Sequence, residues 1–256
     1  MPRKPLVILL ISRAYLYIGI VIFLAVAGWW YWRQPSVWTS LPLSSLISGR
    51  KIVIDAGHGG GDPGAKSPHG LIEKDLNLDV ALRLKKYLSR AGIYTIMIRE
   101  TDRDFFDAPL NISHKKRRDL TYRIGIANRT RADLLISIHA NSFPQVIYRG
   151  AQTFYNPKDL ESKLLAEAIQ NQLVRWLGPN RRRAKTGDYR VLNDIKMPGV
   201  IVEIGFLSNA EEARQLSSPA YREKIAAAIY HGIIAYYLTK TAPGERHEHL
   251  EELPTP

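Results

Sequence analysis

From Lys51 to Lys240 short apolar runs alternate with amphipathic segments, and this alternation restricts the chain to an α/β domain. In order come KIVID at 51–55, a helix from Glu73, IYTIMI at 93–98, a helix from Leu120, LLISIH at 134–139, a helix from Leu160, GVIVEI at 199–204 and a last helix over Pro219 to Lys240. The strand runs are apolar throughout instead of alternating with polar residues, as expected where helices cover both faces of a sheet. The expected fold is therefore a single domain over 51–240, with a largely parallel, mixed and twisted sheet sandwiched by helices. Leu76, Val80, Leu84 and Leu88 form one apolar stripe at helical spacing, and Gly92 supplies the stop. In the last helix Ile225, Ala228, Ile229 and Ile233 form a similar stripe.

Ahead of the domain, Ala14 to Trp32 carries no charge and is long enough to cross a hydrocarbon core of roughly 30 Å as a helix. Arg3, Lys4 and Arg13 precede it, and Trp29, Trp30, Tyr31 and Trp32 crowd its far end like an interfacial belt. This pattern predicts a cytoplasmic N-terminus over 1–13, a transmembrane anchor over 14–32, a spacer over 33–50 and an extracytoplasmic domain. Ala25-Val26-Ala27 also has the small-x-small form of a signal-peptidase site, so a cleaved signal peptide is the competing expectation, with a secreted product beginning at Gly28. Either way the domain lies outside the cytoplasm. Residues 241–256 hold few apolar side chains and are expected to be disordered.

Cysteine is absent, which excludes disulfides and thiolate metal sites. Residues 1–34 carry four basic and no acidic side chains, leaving +8 of the formal +12 for the remainder. The dense basic clusters, HKKRR at 114–118 and RRRAK at 181–185, have no accompanying aromatic-studded module, so no nucleic-acid partner is expected. Solvated loops are the plain expectation for both, and attraction to an anionic polymer the sharper one.

The glycine-dense turn AGHGGGDPGAKS follows the first strand. Gly59, Gly61 and Gly64 fit GxGxxG, but Pro63 and Pro68 interrupt the stretch where a dinucleotide fingerprint must open into a helix. Ala65 separates Gly64 from Lys66, which puts a P-loop out of register. What remains is a loop presenting His58 at the C-terminal end of a strand, the edge where open α/β sheets build their sites. His139 ends its own strand in the same way. Glu73 opens the following helix, where the dipole favours a carboxylate and where a capping charge is the bland alternative. Glu203 lies inside an apolar run, and an ionised carboxylate there needs a partner or a metal. Near a metal, partial desolvation would raise its pKa towards working pH, as suits a general base. Two imidazoles and one carboxylate with an open position match the donors of a catalytic zinc site. There is no HExxH helix, and periodicity does not establish a set drawn from separate segments.

In order, KIVIDAGHGGGDPGA, EKDLNLDVALRLKKYL, ADLLISIHANS and MPGVIVEIGFLSN resemble the motifs of zinc-dependent N-acetylmuramoyl-L-alanine amidases. The resemblance implies that His58, Glu73 and His139 bind Zn2+ and that Glu203 is the catalytic carboxylate. It implies cleavage of the peptidoglycan amide between N-acetylmuramic acid and L-alanine. Asn141 would contact substrate or support His139. Within the family the chain resembles the germination-specific, spore-cortex type, with a short membrane segment, GAQTFYNP after the HANS loop and no wall-binding repeats. Such enzymes act with a deacetylase to form muramic δ-lactam in the cortex, which would place this domain in the forespore intermembrane space. An accessory wall protein or lipoprotein partner is compatible with that type. The family's VLRN-like string stands here as Val191-Leu192-Asn193-Asp194, without its arginine. Two other readings remain: a zinc peptidase cutting within the stem peptide, and a non-catalytic wall-binding protein on the same scaffold.

Overall fold

The computed structural model describes residues 17–24, 47–105, 112–178 and 180–240. Residues 1–40 and 41–256 form separate compact units. In the first, residues 17–24 form a helix, α1, with exposed side chains; the rest of the apolar run over 14–32 lies outside the described residues. Among the described residues no helix is long and apolar enough to cross a membrane. The expected tail over 241–256, and the spacer up to residue 46, also lie outside them.

The second unit is an α/β domain. Its strands are β1 (Lys51–Ala56), β2 (Tyr94–Met97), β3 (Leu134–Asn141), β4 (Gln152–Tyr155), β5 (Lys185–Thr186) and β6 (Gly199–Phe206). They form one sheet in the order β2-β1-β3-β6-β4-β5. β2, β1, β3 and β6 run parallel, β4 is antiparallel to β6, and β5 is parallel to β4. The mixed, largely parallel sheet is thus present, with its antiparallel element at one side. The helices are α2 (Glu73–Arg90), α3 (Ile112–Thr130), α4 (Leu160–Leu177), α5 (Arg190–Asp194), α6 (Ala210–Ser217) and α7 (Pro219–Leu238).

Side chains alternate across a strand, and here both alternate sets are apolar because both faces are covered. Ile52, Ile54, Leu134, Ile136, Val200 and Val202 pack with Leu76, Val80, Leu84 and Leu88 of α2 and with α4 and α7. Val53, Leu135, Phe154 and Ile201 pack on the other face with Ile124 and Ala127 of α3 and Val191 and Leu192 of α5. This second layer is thinner, and the face it covers carries Asp55, Ser137, His139 and Glu203 beyond its apolar part. Ile47, ahead of the expected domain start at Lys51, is fully buried in the first cluster.

Two expectations need correction. The helix expected from Leu120 begins at Ile112, so HKKRR is helical and not a solvated loop. Lys115 and Lys116 pair with Asp104 and Asp62 at 2.9 and 3.2 Å, which offsets the unfavourable placement of cations near a helix N-terminus. In α7 Ile225, Ala228, Ile229 and Ile233 are buried, but so are Ala226, Ala227, Ile234 and Tyr236. The helix is packed against both α2 and α4 and has no broad solvent face. At Gly232 an added Cβ would lie 2.5 Å from Ile169 Cα of α4, so the two backbones cross too closely for any side chain there.

Candidate active site

Three adjacent parallel strands, β1, β3 and β6, end on the same edge, and each delivers a functional group there. β1 runs through Gly57 into His58, whose φ of 62° is left-handed and costly for a non-glycine residue. Two buried arginines from other segments hold that turn. Arg99 donates through Nε to Ala56 O (2.8 Å) and through Nη2 to Gly57 O (3.0 Å) and Lys74 O (2.7 Å). Arg123 donates to Ala56 O (2.9 Å) and His58 O (2.7 Å). Its charge is balanced by Asp55 at 2.6 Å, and Ser137 Oγ donates to the other Asp55 oxygen at 2.9 Å.

Glu73 is the hub. It is the first residue of α2, which has no side-chain N-cap hydrogen bond, and Glu73 is 4% exposed. Its Oε2 accepts from Ala65 N at 2.8 Å and its Oε1 from Ala140 N at 3.1 Å, tying the glycine loop to β3. The same Oε1 lies 3.2 Å from His58 Nε2 and 3.1 Å from His139 Nδ1. The bland reading as a capping charge is therefore set aside: the carboxylate is spent on two histidines. Donor atoms of His58, Glu73 and His139 all lie within 4.8 Å of one another. The two rings stand edge to face, with centroids 5.1 Å apart.

Glycines make this convergence fit. A Cβ on Gly57 would stand 2.2 Å from His139 Cε1, and one on Gly64 (φ 67°) would stand 2.5 Å from Glu73 Oε2. Electrostatics follow from the same contacts. Burial disfavours a charged His58, but the hydrogen bonds it donates to Asp62 and Glu73 outweigh it and push its pKa up to about 9. Burial likewise opposes charge on Glu73, yet His139 and His58 hold its carboxyl well below the usual carboxylate range.

Glu203 stands beside this triad. β3 and β6 pair in register with His139 opposite Glu203, so both side chains leave the same face. Glu203 is 9% exposed, and its Oε2 is buried without a hydrogen-bond partner among the described residues. Burial pushes its pKa up to about 7; Glu73 adds to the rise, while His139 and His58 oppose it. Asn141, at the end of β3, is half-buried, and its carbonyl accepts from Leu207 N at 2.8 Å. Among the described residues no hydrogen bond joins its side chain to His139, so the expected supporting contact is not seen. In the segment without the family's arginine, Arg190 precedes Val191 and pairs with Asp194 at 3.1 Å.

Asp62, Arg99 and Arg123 escaped the sequence reading. Asp62 Oδ2 lies 2.8 Å from His58 Nδ1, which orients the ring with Nε2 towards Glu73. The signal was an acid four residues after a histidine in a glycine turn. Such a carboxylate behind a metal-ligating imidazole fixes its tautomer and raises its basicity. Asp62→Asn is expected to weaken metal binding by about 10- to 100-fold with the fold intact. Competition with a fluorescent zinc chelator measures this, and an unchanged affinity would remove Asp62 from the site.

The sequence profile of the N-acetylmuramoyl-L-alanine amidase family, Amidase_3, matches residues 52–235. The germination-specific N-acetylmuramoyl-L-alanine amidase of Bacillus subtilis strain 168 is 41% identical over 207 residues, which span 80% of this chain and 86% of that protein. Among solved structures, the CwlD amidase from Clostridioides difficile, in complex with the GerS lipoprotein, superposes with a TM-score of 0.72 at 38% identity, covering 75% of this chain and 100% of that one. An N-acetylmuramoyl-L-alanine amidase from Clostridium difficile 630 superposes with a TM-score of 0.67 at 30% identity, covering 76% and 100%.

Proposed function

The chain belongs to the N-acetylmuramoyl-L-alanine amidase family, and from that premise we propose how its site hydrolyses the amide joining N-acetylmuramic acid to L-alanine in peptidoglycan. The carrying observation is a buried, unpartnered carboxylate in register with one of two histidines that share a second carboxylate. We propose that His58, Glu73 and His139 hold Zn2+. The donors fit: two imidazoles and a carboxylate converge within 4.8 Å, and the chain has no thiolate to favour a closed structural site. Zinc in such a shell lowers the pKa of a water molecule to about 7 and polarises a carbonyl oxygen.

Glu203 does the proton work. Its Oε2 takes a proton from the attacking water as the oxygen adds to the lactyl carbonyl carbon. It then returns that proton to the L-alanine nitrogen as the C–N bond breaks, leaving a lactyl carboxyl group and a free amine. Without metal its pKa is pushed up to about 7, and a bound cation would bring it down from there, so the group would be ionised and ready to accept a proton at neutral pH. Asn141, at the rim, is proposed to contact the substrate.

The 41%-identical germination-specific relative supports a role in spore-cortex maturation. The uncharged run over 14–32 supports a membrane anchor with the domain outside the cytoplasm. The lipoprotein bound to the CwlD relative supports an accessory protein partner.

The purified protein given muropeptides is expected to release intact stem peptides with a free L-alanine amine and to leave the sugars whole. A chelator is expected to stop the reaction, and added zinc to restore it. Release of D-alanine instead would favour the peptidase reading, and binding without any product the scaffold reading. Mass spectrometry of the products distinguishes the three.

A further inference from the structure

RRRAK is absorbed by neither the metal triad nor Glu203, yet it is built into the fold. Beside the strand edge lies a cleft of about 630 Å3, whose walls include Tyr148, Arg149, Asn180, Arg181, Arg182 and Glu212. None of the four proposed zinc-site and catalytic residues lines it. Two loops are welded to form it. Asn180 Nδ2 donates to Ala151 O at 2.7 Å, and Asn180 Oδ1 accepts from Arg182 N at 2.9 Å. At Gly150, with φ 96°, an added Cβ would come within 2.4 Å of Asn180 Oδ1.

Arg182 is the fixed element. It donates through Nε to Arg149 O and through Nη1 to Gln152 Oε1, both at 2.6 Å, and its guanidinium stacks 4.5 Å over the Phe206 ring. Those bonds leave Nη2 without a partner among the described residues. Glu212, in the cleft wall, offsets part of the charge of Arg182 and Arg149, but among the described residues it forms no ion pair with either. Glu212 accepts from Phe206 N (2.7 Å) and Gly150 N (2.6 Å), and Glu211 pairs with Arg214 at 2.7 Å. Among the described residues Arg149, Arg181 and Arg182 have no ion pair.

The cleft is also close to the chemistry. Gln152, which Arg182 grips, is directly opposite Glu203 on the neighbouring strand. Directly opposed residues of an antiparallel pair share a face and have Cα atoms about 5 Å apart, and the Gln152 side chain carries the contact outward. The guanidinium thus stands on the order of 10 Å from the catalytic carboxylate. An extended peptide rises about 3.3 Å per residue, so a carboxylate two or three residues beyond the scissile amide spans that distance.

We propose that this cleft binds the peptide arm of the substrate by pairing its free carboxylates with Arg182, and with Arg149 and Arg181 beyond it. The inference rests on the amidase reading for its ligand but not for its test. A planar guanidinium held by two bonds matches a carboxylate fork better than a diffuse polyanion.

The test uses one muropeptide in two forms, with its peptide carboxylates free or amidated, on wild type, Arg182→Gln and the exposed double variant Arg149→Gln/Arg181→Gln. Wild type is expected to show a KM about tenfold lower for the free form, the effect of one charge-assisted hydrogen bond. Arg182→Gln is expected to raise that KM about tenfold, with kcat within about twofold and the amidated form unaffected, and the double variant to reduce the preference in part. A second arm measures binding of a synthetic stem peptide with free carboxylates to Glu203→Gln protein by calorimetry, where added Arg182→Gln should weaken it about tenfold and inorganic phosphate should not compete at equal concentration. Discrimination unchanged in both variants, or wild type indifferent to amidation, overturns the proposal. If no muropeptide is cleaved, the amidase reading fails, and the calorimetric arm still decides the cleft.

Discussion

Replacing Glu203 with glutamine is expected to lower kcat by about 10²- to 10⁴-fold, the usual worth of a positioned general base, while zinc content and substrate binding stay near wild type. Glutamine keeps the size of the side chain and removes only the ability to carry the proton. The pH dependence gives an independent readout. The proposed base would work as the carboxylate, so wild-type kcat/KM in the acid range should rise with unit slope towards a plateau. The carboxyl titrates at about 7 in the metal-free site, and a cation among the three donors lowers that value. The residual activity of the variant should lack this rise. Stability moves the other way. A carboxyl whose pKa is raised from 4.5 to about 7 by folding is harmless below pH 4.5, and its penalty grows as pH rises through about 7. At pH 8 the metal-free variant should therefore exceed metal-free wild type by up to about 3 kcal/mol, a gap that closes at pH 4.5. Equal turnover in variant and wild type would remove Glu203 from the mechanism; equal melting temperatures at pH 8 would contradict its burial as an acid.

Gly57→Ala is expected to empty the proposed zinc site with a single methyl group. The new Cβ would lie 2.2, 2.4 and 2.6 Å from three atoms of the His139 ring, closer than non-bonded carbon atoms approach. The backbone has no room to retreat. Gly57 N donates to Ile138 O at 3.0 Å, and Gly57 O accepts from Asn77 Nδ2 at 3.2 Å and Arg99 Nη2 at 3.0 Å. The imidazole must swing away from Glu73, removing one of three donors. We expect zinc affinity and kcat/KM to fall by more than about 100-fold, with a loss of about 1–3 kcal/mol from overpacking. Gly61→Ala is the control, because its Cβ would press only on the flexible Lys115 Nζ, at 3.1 Å, and meet Asp104 at ordinary contact distances of 3.5 and 3.7 Å. Metal analysis after dialysis checks both. A Gly57→Ala protein that keeps its zinc would show that the strand end is softer than its hydrogen bonds imply.

Much of this was legible in one dimension. The unbroken apolar runs of β1, β3 and β6 and the stripe Leu76, Val80, Leu84 and Leu88 at helical spacing lie in the core because burial on two sheet faces or on one helix face is written in local patterns. His58, two residues beyond β1, and His139, two residues before the end of β3, lie at one edge because parallel strands deliver their C-terminal ends there. Glu203 stood out as a carboxylate in an apolar run, and it is buried. The antiparallel β4 and two-residue β5 were not legible, since QTFY and KT are too short to show a period.

Sequence by itself determined the α/β class, the edge on which the site stands and, through four ordered motifs, the family. Only the tertiary structure decided which charges meet. Glu73 could have capped its own helix, but helix and strand docking carries it to His58 and His139. Asp62 orients an imidazole, Arg99 and Arg123 hold a left-handed turn, and Lys115 and Lys116 pair with aspartates of other segments. Ion pairs and hydrogen bonds depend on distances of about 3 Å. Residues far apart along the chain reach such distances only after the apolar layers have packed.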